Sequence, residues 1–203
     1  MKLFEGPGLN SKIVRMFMAE KEIAMPLVAV DIMKNENRAR AHLERNPSGT
    51  VPVLALDDGT YLSEVTAICD YLEELNPRPP LIGATPEARA QTRMWVRKID
   101  LSIGEPMANS FRFGEALAFF HDRVHCEPEI AEGLKRIAQK NMSWLDAQLA
   151  GRKWIVGDRF TFADIFSFGV MSFFAENGRP LDAALKNLTA WFDRTQARPS
   201  ARA

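Results

Sequence analysis

Residues 46–54 read Asn-Pro-Ser-Gly-Thr-Val-Pro-Val-Leu, and the segments Asp57-Asp58-Gly59 and Ser63-Glu64-Val65 follow shortly after them. Pro52 opens the apolar run 53–56. A proline has no N–H group, so it belongs at the first residue of a strand or in the turn before it. An X-Pro bond at the entrance to a strand is also a position where a cis peptide is retained. The stretch therefore predicts a turn, a cis bond between Val51 and Pro52, and then a strand.

The residues that follow predict a hairpin and a helix. Asp58-Gly59 is typical of a two-residue turn between strands at 53–56 and 60–62. Ser63 or Glu64 then begins a helix. At helical spacing, one face of this helix is expected to carry Ala67, Ile68, Tyr71, Leu72 and Leu75. Such a unit directs backbone amides and the Glu64 carboxylate towards one place.

This pattern resembles the glutathione-binding half of the glutathione S-transferase family, which holds a Val-Pro-Val-Leu segment with a cis proline and then an acidic residue. The resemblance implies that Val51 and Pro52 present backbone groups to the cysteinyl unit of glutathione, and that Glu64 binds the γ-glutamyl end. Most relatives have serine after the acid, whereas this chain has Val65, so only the backbone N–H of Val65 is available. We expect the loss of one hydrogen bond, about 1 kcal/mol net.

The composition excludes several classes of protein. The 203 residues are 46% hydrophobic, and 26 Lys and Arg balance 26 Asp and Glu, so no basic field is available for nucleic acid or membrane phosphates. No apolar stretch approaches the length of a membrane span, and the N-terminus turns polar too soon for a signal peptide. Cys69 and Cys126 lack redox or zinc spacing. These features favour a cytoplasmic protein without nucleic-acid or membrane partners.

Elsewhere the order of patterns indicates two domains. Strands at 2–5 and 27–31 flank a helix that Asn10 or Ser11 is expected to cap, and residues 34–45 favour helix or turn. With the hairpin and the helix after it, this order predicts a thioredoxin-like α/β domain over residues 1–77. The proline-rich segment 78–86 predicts a linker. Helical periodicity dominates residues 87–203, which predicts an all-helical second domain.

A capping motif supports the same family in the second half of the chain. Thr161 is the predicted N-cap of a very apolar helix, with Asp164 three residues on to complete a capping box and with apolar residues bracketing the first turn. Members of the family carry a Ser/Thr-x-x-Asp box at this place after a Gly-Asp pair, here Gly157-Asp158. The motif is structural, but it extends the resemblance to roughly residues 1–200.

The resemblance also implies a group that activates the thiol of glutathione, and here the chain departs from most relatives. The family uses Tyr, Ser or Cys near the first helix, whereas this segment offers Asn10 and Ser11, as in a divergent bacterial and fungal subgroup. Either side chain, or the first-turn N–H groups, would stabilise a thiolate. Asn10 as a simple N-cap is the alternative.

Other binding residues are implied less directly. Asn37 lies where the family reaches the glycyl carboxylate of glutathione, with Lys34 as a second candidate, and a solvated charged turn is the alternative. Four residues would line a pocket for a hydrophobic electrophile if the helix kinks near Pro106: Met107, Ser110, Phe111 and Phe113. His121 and His125 are four residues apart, but without a third ligand they predict an exposed helix face and no metal site.

The function implied is conjugation of glutathione, as substrate and without a cofactor, to a small soft electrophile by a homodimeric enzyme. Two alternatives remain open. One is a glutathione-dependent disulfide reductase or peroxidase, and the other is a glutathione-binding module without catalytic activity.

Overall fold

The computed structural model describes residues 1–203 and divides them into two compact units. The first unit contains Met1–Ala84 together with the C-terminal residues Ala197–Ala203, and the second contains Thr85–Gln196. The chain therefore leaves the first unit after Ala84 and returns to it for its last seven residues.

The first unit is built on a four-stranded mixed sheet with the strand order β2-β1-β3-β4. Its strands are β1 (Lys2–Glu5), β2 (Leu27–Ala29), β3 (Val53–Ala55) and β4 (Tyr61–Ser63). β1 is parallel to β2 and antiparallel to β3, and β3 is antiparallel to β4. The predicted thioredoxin-like arrangement is confirmed, and the cis bond between Val51 and Pro52 is present. β2 ends two residues earlier than predicted.

The first unit also contains three helices: α1 (Leu9–Glu20), α2 (Arg40–Leu43) and α3 (Val65–Leu75). α1 buries one face, which contains Ser11, Ile13, Val14, Met16, Phe17 and Met18. The predicted inner face of α3 is partly wrong, because Ala67 and Leu75 are exposed. The buried residues of α3 are Val65, Ile68, Cys69, Leu72 and Glu73. The buried face of α3 therefore begins at the first residue of the helix, Val65, and is rotated about the helix axis relative to the predicted face.

The turn between β3 and β4 also differs from the prediction. The N–H of Leu56 donates to the carbonyl of Thr60 at 2.8 Å, so the turn contains residues 57–59 rather than two residues. Gly59 has φ +88°, and Asp58 accepts a hydrogen bond from the N–H of Thr60 at 2.8 Å. A three-residue turn that ends in a left-handed glycine is a common hairpin connection.

The second unit is helical, as predicted. Its helices are α4 (Pro86–Ile99), α5 (Glu105–Phe113), α6 (Leu117–Phe120), α7 (Ala131–Leu149), α8 (Phe162–Glu176) and α9 (Lys186–Gln196). A π-helical turn over Asp100–Gly104 joins α4 to α5. Pro106 explains its position, because the proline cannot donate to the carbonyl of Ser102 and its ring crowds that carbonyl.

α8 forms the core of the second unit, and its capping box confirms the prediction at Thr161. The carboxylate of Asp164 accepts hydrogen bonds from the N–H of Thr161 at 2.9 Å, the N–H of Ile155 at 2.9 Å and the indole of Trp191 at 2.8 Å. Burial raises the pKa of Asp164 even against these hydrogen bonds. No helix of the structure has both the length and the apolar character needed to cross a membrane.

Candidate functional site

The sheet register brings three loops to one end of the first unit. Val53, at the start of β3, pairs with Phe4 near the end of β1 and with Ser63 at the end of β4. The loop after β1, the segment before β3 and the residue after β4 therefore leave the sheet at the same end. These are residues 6–8, residues 50–52 and Glu64.

Val51 presents an unpaired stretch of backbone at this end. Neither its N–H nor its C=O group has a hydrogen-bond partner within the chain, and its side chain is half-buried. A Cβ atom on Gly6 would lie 3.3 Å from Cγ2 of Val51 and 3.0 Å from the carbonyl oxygen of Val30. The backbone of Gly6 therefore packs directly beside Val51, where a side chain would not fit. An exposed peptide edge of this kind can pair with another peptide in short antiparallel fashion.

Glu64 lies at the N-terminus of α3 with an uncommon backbone conformation. Its φ of +71° is in a region that costs a non-glycine residue about 1–3 kcal/mol. The side chain is exposed and has no ion pair or hydrogen bond within the chain. The free N–H groups of the first turn follow directly, beginning with that of Val65, whose side chain is buried. A carboxylate beside these N–H groups suits a ligand that carries both an ammonium and a carboxylate group.

The start of α1 differs from the predicted cap. Gly8, with φ +121°, is the N-cap, so the prediction that Asn10 or Ser11 caps the helix is wrong. Asn10 lies in the first turn and is exposed. Ser11 is 1% exposed, and its hydroxyl oxygen accepts the N–H of Gly6 at 3.1 Å. No acidic residue lies in the first turn, so the positive end of the helix is not neutralised by its own side chains.

The two residues predicted near the glycyl carboxylate lie in different surroundings. Asn37 is 7% exposed and donates through Nδ2 to the carbonyl of Gly49 at 2.7 Å. Lys34 is exposed, with its ammonium 3.2 Å from the carboxylate of Asp31. Hydrogen bonds from Lys34 lower the pKa of that carboxyl group. Lys34 is therefore open to a ligand, whereas Asn37 supports the loop before Val51.

Sequence reasoning missed other side chains that hold this loop. His42 is 2% exposed, and its Nε2 lies 3.0 Å from the carbonyl oxygen of Thr50. Asn46 donates through Nδ2 to the same oxygen at 3.0 Å. Arg38 donates to the carbonyl of Ser48 at 3.3 Å. The available signal in the sequence was a histidine and an asparagine within ten residues of the strand that Pro52 opens. Neither residue lies in a motif that indicates its hydrogen-bond partner.

Three side chains that could react or bind a metal, Cys69, His121 and His125, do not contribute to this site. Cys69 is fully buried, and burial raises the pKa of its thiol well above the usual range. His121 and His125 lie beyond the end of α6, so the predicted shared helix face is wrong. Each instead pairs with an acidic neighbour, Asp122 or Glu127. No group of three or more metal-ligating side chains is present.

In the second unit, the predicted electrophile-binding residues lie together on α5. Met107 and Ser110 are buried, whereas Phe111 and Phe113 are half-buried. The hydroxyl of Ser110 donates to the carbonyl of Met107 at 2.9 Å. The ring of Phe111 packs edge-on against Phe174, with centroids 5.7 Å apart.

Arg179 organises this part of α5, and sequence reasoning missed it. Its guanidinium donates to the hydroxyl of Ser110 at 2.6 Å, forms two hydrogen bonds with Glu115, and lies 5.7 Å from the ring centroid of Phe111. The hydrogen bonds from Arg179 lower the pKa of Glu115. Arg179 is 64 residues from Glu115 in sequence, so no local spacing reveals the pair.

Models of one protein family match both halves of the chain. The model of the glutathione S-transferase N-terminal domain matches residues 9–75, and that of the C-terminal domain matches residues 115–199. Glutathione S-transferase 2 of Saccharomyces cerevisiae is 33% identical to this chain, over 92% of this chain and 81% of the yeast protein. The chain belongs to the glutathione S-transferase family. The resemblance seen in the sequence is confirmed.

Solved structures of family members superpose on the whole chain. The crystal structure of Gtt2 from Saccharomyces cerevisiae has a TM-score of 0.93 at 30% identity and covers 100% of this chain and 99% of its own. A glutathione S-transferase domain-containing protein from Marinobacter aquaeolei VT8 has a TM-score of 0.90 at 33% identity, covering 99% and 100%. The predicted combination of a thioredoxin-like domain with an all-helical domain is thereby confirmed.

Proposed function

We propose that this protein binds glutathione at the end of the sheet in its first unit and transfers it to a small soft electrophile. The observation that carries the proposal is the unpaired peptide edge of Val51. It lies beside Gly6 at the sheet end from which Glu64 also emerges. Family membership supports the identity of the ligand.

Each part of glutathione has a matching group in this site. The N–H and C=O groups of Val51, just before Pro52, pair with the cysteinyl backbone. The carboxylate of Glu64 binds the γ-glutamyl ammonium, and the backbone N–H of Val65 donates to the γ-glutamyl carboxylate. Lys34 is the candidate for the glycyl carboxylate, because its ammonium is exposed. Asn37 supports this binding from behind the loop.

The thiol is activated by stabilising its ionised form. A free thiol has a pKa of about 8.5, so at neutral pH most of it is protonated unless donors and a positive potential favour the thiolate. The start of α1 supplies N–H groups, and the carboxamide of Asn10 supplies a further donor. An amide cannot take up the proton at neutral pH, so water carries it away. The thiolate lone pair then forms the carbon–sulfur bond, and the electrophile releases its leaving group or accepts the electron pair.

We assign contact with the apolar part of the electrophile to α5. Phe111 and Phe113 are half-buried and can offer ring surface to a ligand. Met107 and Ser110 are buried behind them and fix the helix surface. Glutathione is a substrate in this reaction, and no further cofactor is required. Two free cysteines, Cys69 and Cys126, suit a reducing compartment such as the cytoplasm.

A second candidate activity is reduction of disulfides by glutathione. One observation favours it: the exposed polar side chain at the start of α1 is a neutral amide, which stabilises a thiolate but supplies no proton to a leaving group. Attack of the thiolate on a disulfide breaks the sulfur–sulfur bond and forms a mixed disulfide, which a second glutathione then attacks to release the other thiol and give oxidised glutathione. The departing thiolate is itself a good leaving group, so it needs no general acid.

Two assays separate these activities. Conjugation of glutathione to chlorodinitrobenzene and reduction of hydroxyethyl disulfide are measured on the full chain, alongside calorimetric binding of glutathione. Turnover of the aryl halide supports the transferase, and turnover of the disulfide alone supports the reductase. Binding without turnover on either substrate would assign a non-catalytic module. Absence of binding would contradict the proposed site itself.

A further inference from the structure

The segment just before Val51 is held by side chains at three successive carbonyl groups. Arg38 donates to Ser48, Asn37 donates to Gly49, and the side chains of His42 and Asn46 both reach Thr50. We call these four side chains the carbonyl clamp. The heavy-atom distances are 3.3 Å, 2.7 Å, 3.0 Å and 3.0 Å.

Gly49 shows how closely the carbonyl clamp approaches the segment. Its φ is +63°, a conformation that side chains rarely adopt, and a Cβ atom would lie 2.9 Å from Nη1 of Arg38. The glycine therefore allows both the turn and the contact. Within the segment, the side chain of Asn46 also accepts hydrogen bonds from the N–H and hydroxyl of Ser48, at 3.3 Å and 2.8 Å.

The carbonyl of Thr50 and the N–H of Val51 belong to one planar peptide unit and point in opposite directions. Two donors, Nε2 of His42 and Nδ2 of Asn46, hold that carbonyl on one side. Because the carbonyl is an acceptor, the His42 ring must carry its proton on Nε2 to donate there. The N–H of Val51 is therefore directed away from His42 and Asn46, and it has no partner within the chain.

We propose that His42 and Asn46 are positioning residues for glutathione: by holding the Thr50 carbonyl, they aim the Val51 N–H at the cysteinyl carbonyl oxygen of the ligand. This inference rests on the proposed function. Neither side chain touches the ligand. Each acts through the orientation of one peptide plane, which would otherwise rotate and weaken a single ligand hydrogen bond.

The test compares two ligands in calorimetric titrations of the full-length protein. One is glutathione, and the other is its depsipeptide, in which an ester replaces the cysteinyl–glycyl amide and makes the cysteinyl carbonyl a weaker acceptor. A hydrogen bond contributes about 1 kcal/mol, so we expect the wild type to prefer glutathione by roughly fivefold. In Asn46→Asp and His42→Leu, we expect this preference to fall towards one.

Asn46→Asp is the decisive variant because it keeps the size of the side chain and the oxygen that accepts from Ser48. His42→Gln, which retains a donor, should recover part of the preference lost in His42→Leu. Arg40→Ala, on the exposed face of α2, and Ile68→Val, which removes a buried methyl group from α3, should both keep the wild-type ratio.

The outcomes separate the inference from the proposed function. An unchanged ratio in Asn46→Asp and His42→Leu, with both ligands weakened equally or not at all, would overturn the positioning role. If the wild type bound neither ligand, the proposed function itself would fail. In assays of turnover, the Michaelis constant for glutathione should rise in Asn46→Asp while the rate at saturating glutathione stays close to that of the wild type.

Discussion

Glu64 combines an exposed, unpartnered carboxylate with a backbone conformation that glutamate rarely adopts. No interaction within the chain accounts for this charge, since no cation of the chain pairs with the carboxylate. We therefore expect Glu64→Gln to weaken glutathione binding by about tenfold, equivalent to about 1.4 kcal/mol, while the melting temperature changes little.

The matched control for this change is Glu22→Gln. Glu22 is also exposed and also has a positive φ, +55°, but it lies after α1, away from the proposed site. Calorimetry with glutathione on both variants checks the prediction. Equal affinities for the two variants would show that the carboxylate of Glu64 does not contact the ligand.

Asn10 and Ser11 are adjacent in sequence, but their surroundings predict opposite consequences of truncation. Asn10→Ala should raise the pKa of bound glutathione by less than about one unit, since it removes one neutral donor. Ser11→Ala should instead lower stability by about 1–3 kcal/mol, because the buried N–H of Gly6 loses its acceptor. Thiolate absorbance against pH, with thermal unfolding, separates the two effects. A larger pKa change in Ser11→Ala would transfer the role to Ser11.

At the scale of residues, the family resemblance pointed to the backbone of Val51 as the proposed contact with the ligand, but not to the side chains that support it. The cis bond before Pro52 and the helix start at Glu64 follow from local chemistry, because proline and turn residues act on their immediate neighbours. The surroundings of Asn37 and His42 depend on where the chain returns around residues 48–50, and a polar side chain in a charged segment gives no sign of that contact.

Helix α1, helix α3 and the segment after α3 are joined by a buried ion pair. The ammonium of Lys21 lies 2.6 Å from the carboxylate of Glu73, and both side chains are almost fully buried. Lys21 also donates to the carbonyl of Pro79 at 2.7 Å, and Glu73 accepts the N–H of Ile82 at 2.9 Å. This ion pair therefore holds the proline-rich segment after α3 against α1 and α3.

Lys21→Met should lower the free energy of unfolding by about 3–5 kcal/mol, because it leaves a buried carboxylate without its cation. The double variant Lys21→Met with Glu73→Gln should recover most of this loss, since the amide oxygen still accepts from Ile82. Arg40→Ala, which breaks an exposed pair with Glu44, should cost under about 1 kcal/mol. Urea unfolding of all three variants checks these values. Equal losses of unfolding free energy in Lys21→Met and Arg40→Ala would contradict the prediction.

The contact between Arg179 and Glu115 makes part of the second unit's stability dependent on pH. The pKa of Glu115 is lowered from its ordinary value of 4.5, mainly by hydrogen bonds from Arg179. Between the folded and unfolded pKa values the unfolded chain binds more protons, so stability rises with pH there. The contribution is complete above about pH 4.5 and is lost as the pH falls through the lower, folded value.

We therefore expect Glu115→Gln to lower the melting temperature at neutral pH, and the difference from the wild type to shrink in acid. Glu129→Gln, an exposed residue without an ion pair, is the control and should match the wild type throughout. Melting curves of the wild type and both variants, measured from neutral pH to below pH 4.5, test this prediction. A difference that stays constant into acid would show that the carboxylate charge does not matter.

At the scale of elements, the sequence predicted strands and helices well where turn or capping residues mark their ends. Pro52 and the Thr161 box each placed an element correctly, and Asp58-Gly59 placed the hairpin, although its turn has three residues rather than two. The face of α3 was misjudged because Val65 was not counted in its stripe. The sequence suggested a kink near Pro106 but not its form, a π-helical turn, since that form depends on how the whole helix adjusts around one missing donor.

For the whole molecule, we propose a two-fold dimer in which α3 and α4 form the contact. Leu75 is 49% exposed and Met94 is 44% exposed, so each helix leaves apolar surface uncovered within one chain. We expect sedimentation velocity to show a dimer at micromolar concentration and Met94→Glu to shift it towards monomer. Met33→Glu, at an even more exposed methionine outside these helices, should leave the dimer intact. A wild-type monomer would contradict this assembly.

The most direct test of the central claim is a crystal structure of the protein soaked with glutathione. We predict that the cysteinyl backbone pairs with the N–H and C=O groups of Val51 at about 3 Å. The γ-glutamyl ammonium should contact the carboxylate of Glu64, and the thiol should lie at the start of α1. Glutathione bound elsewhere on the molecule, or a Val51 edge still unpaired at saturating ligand, would contradict the account.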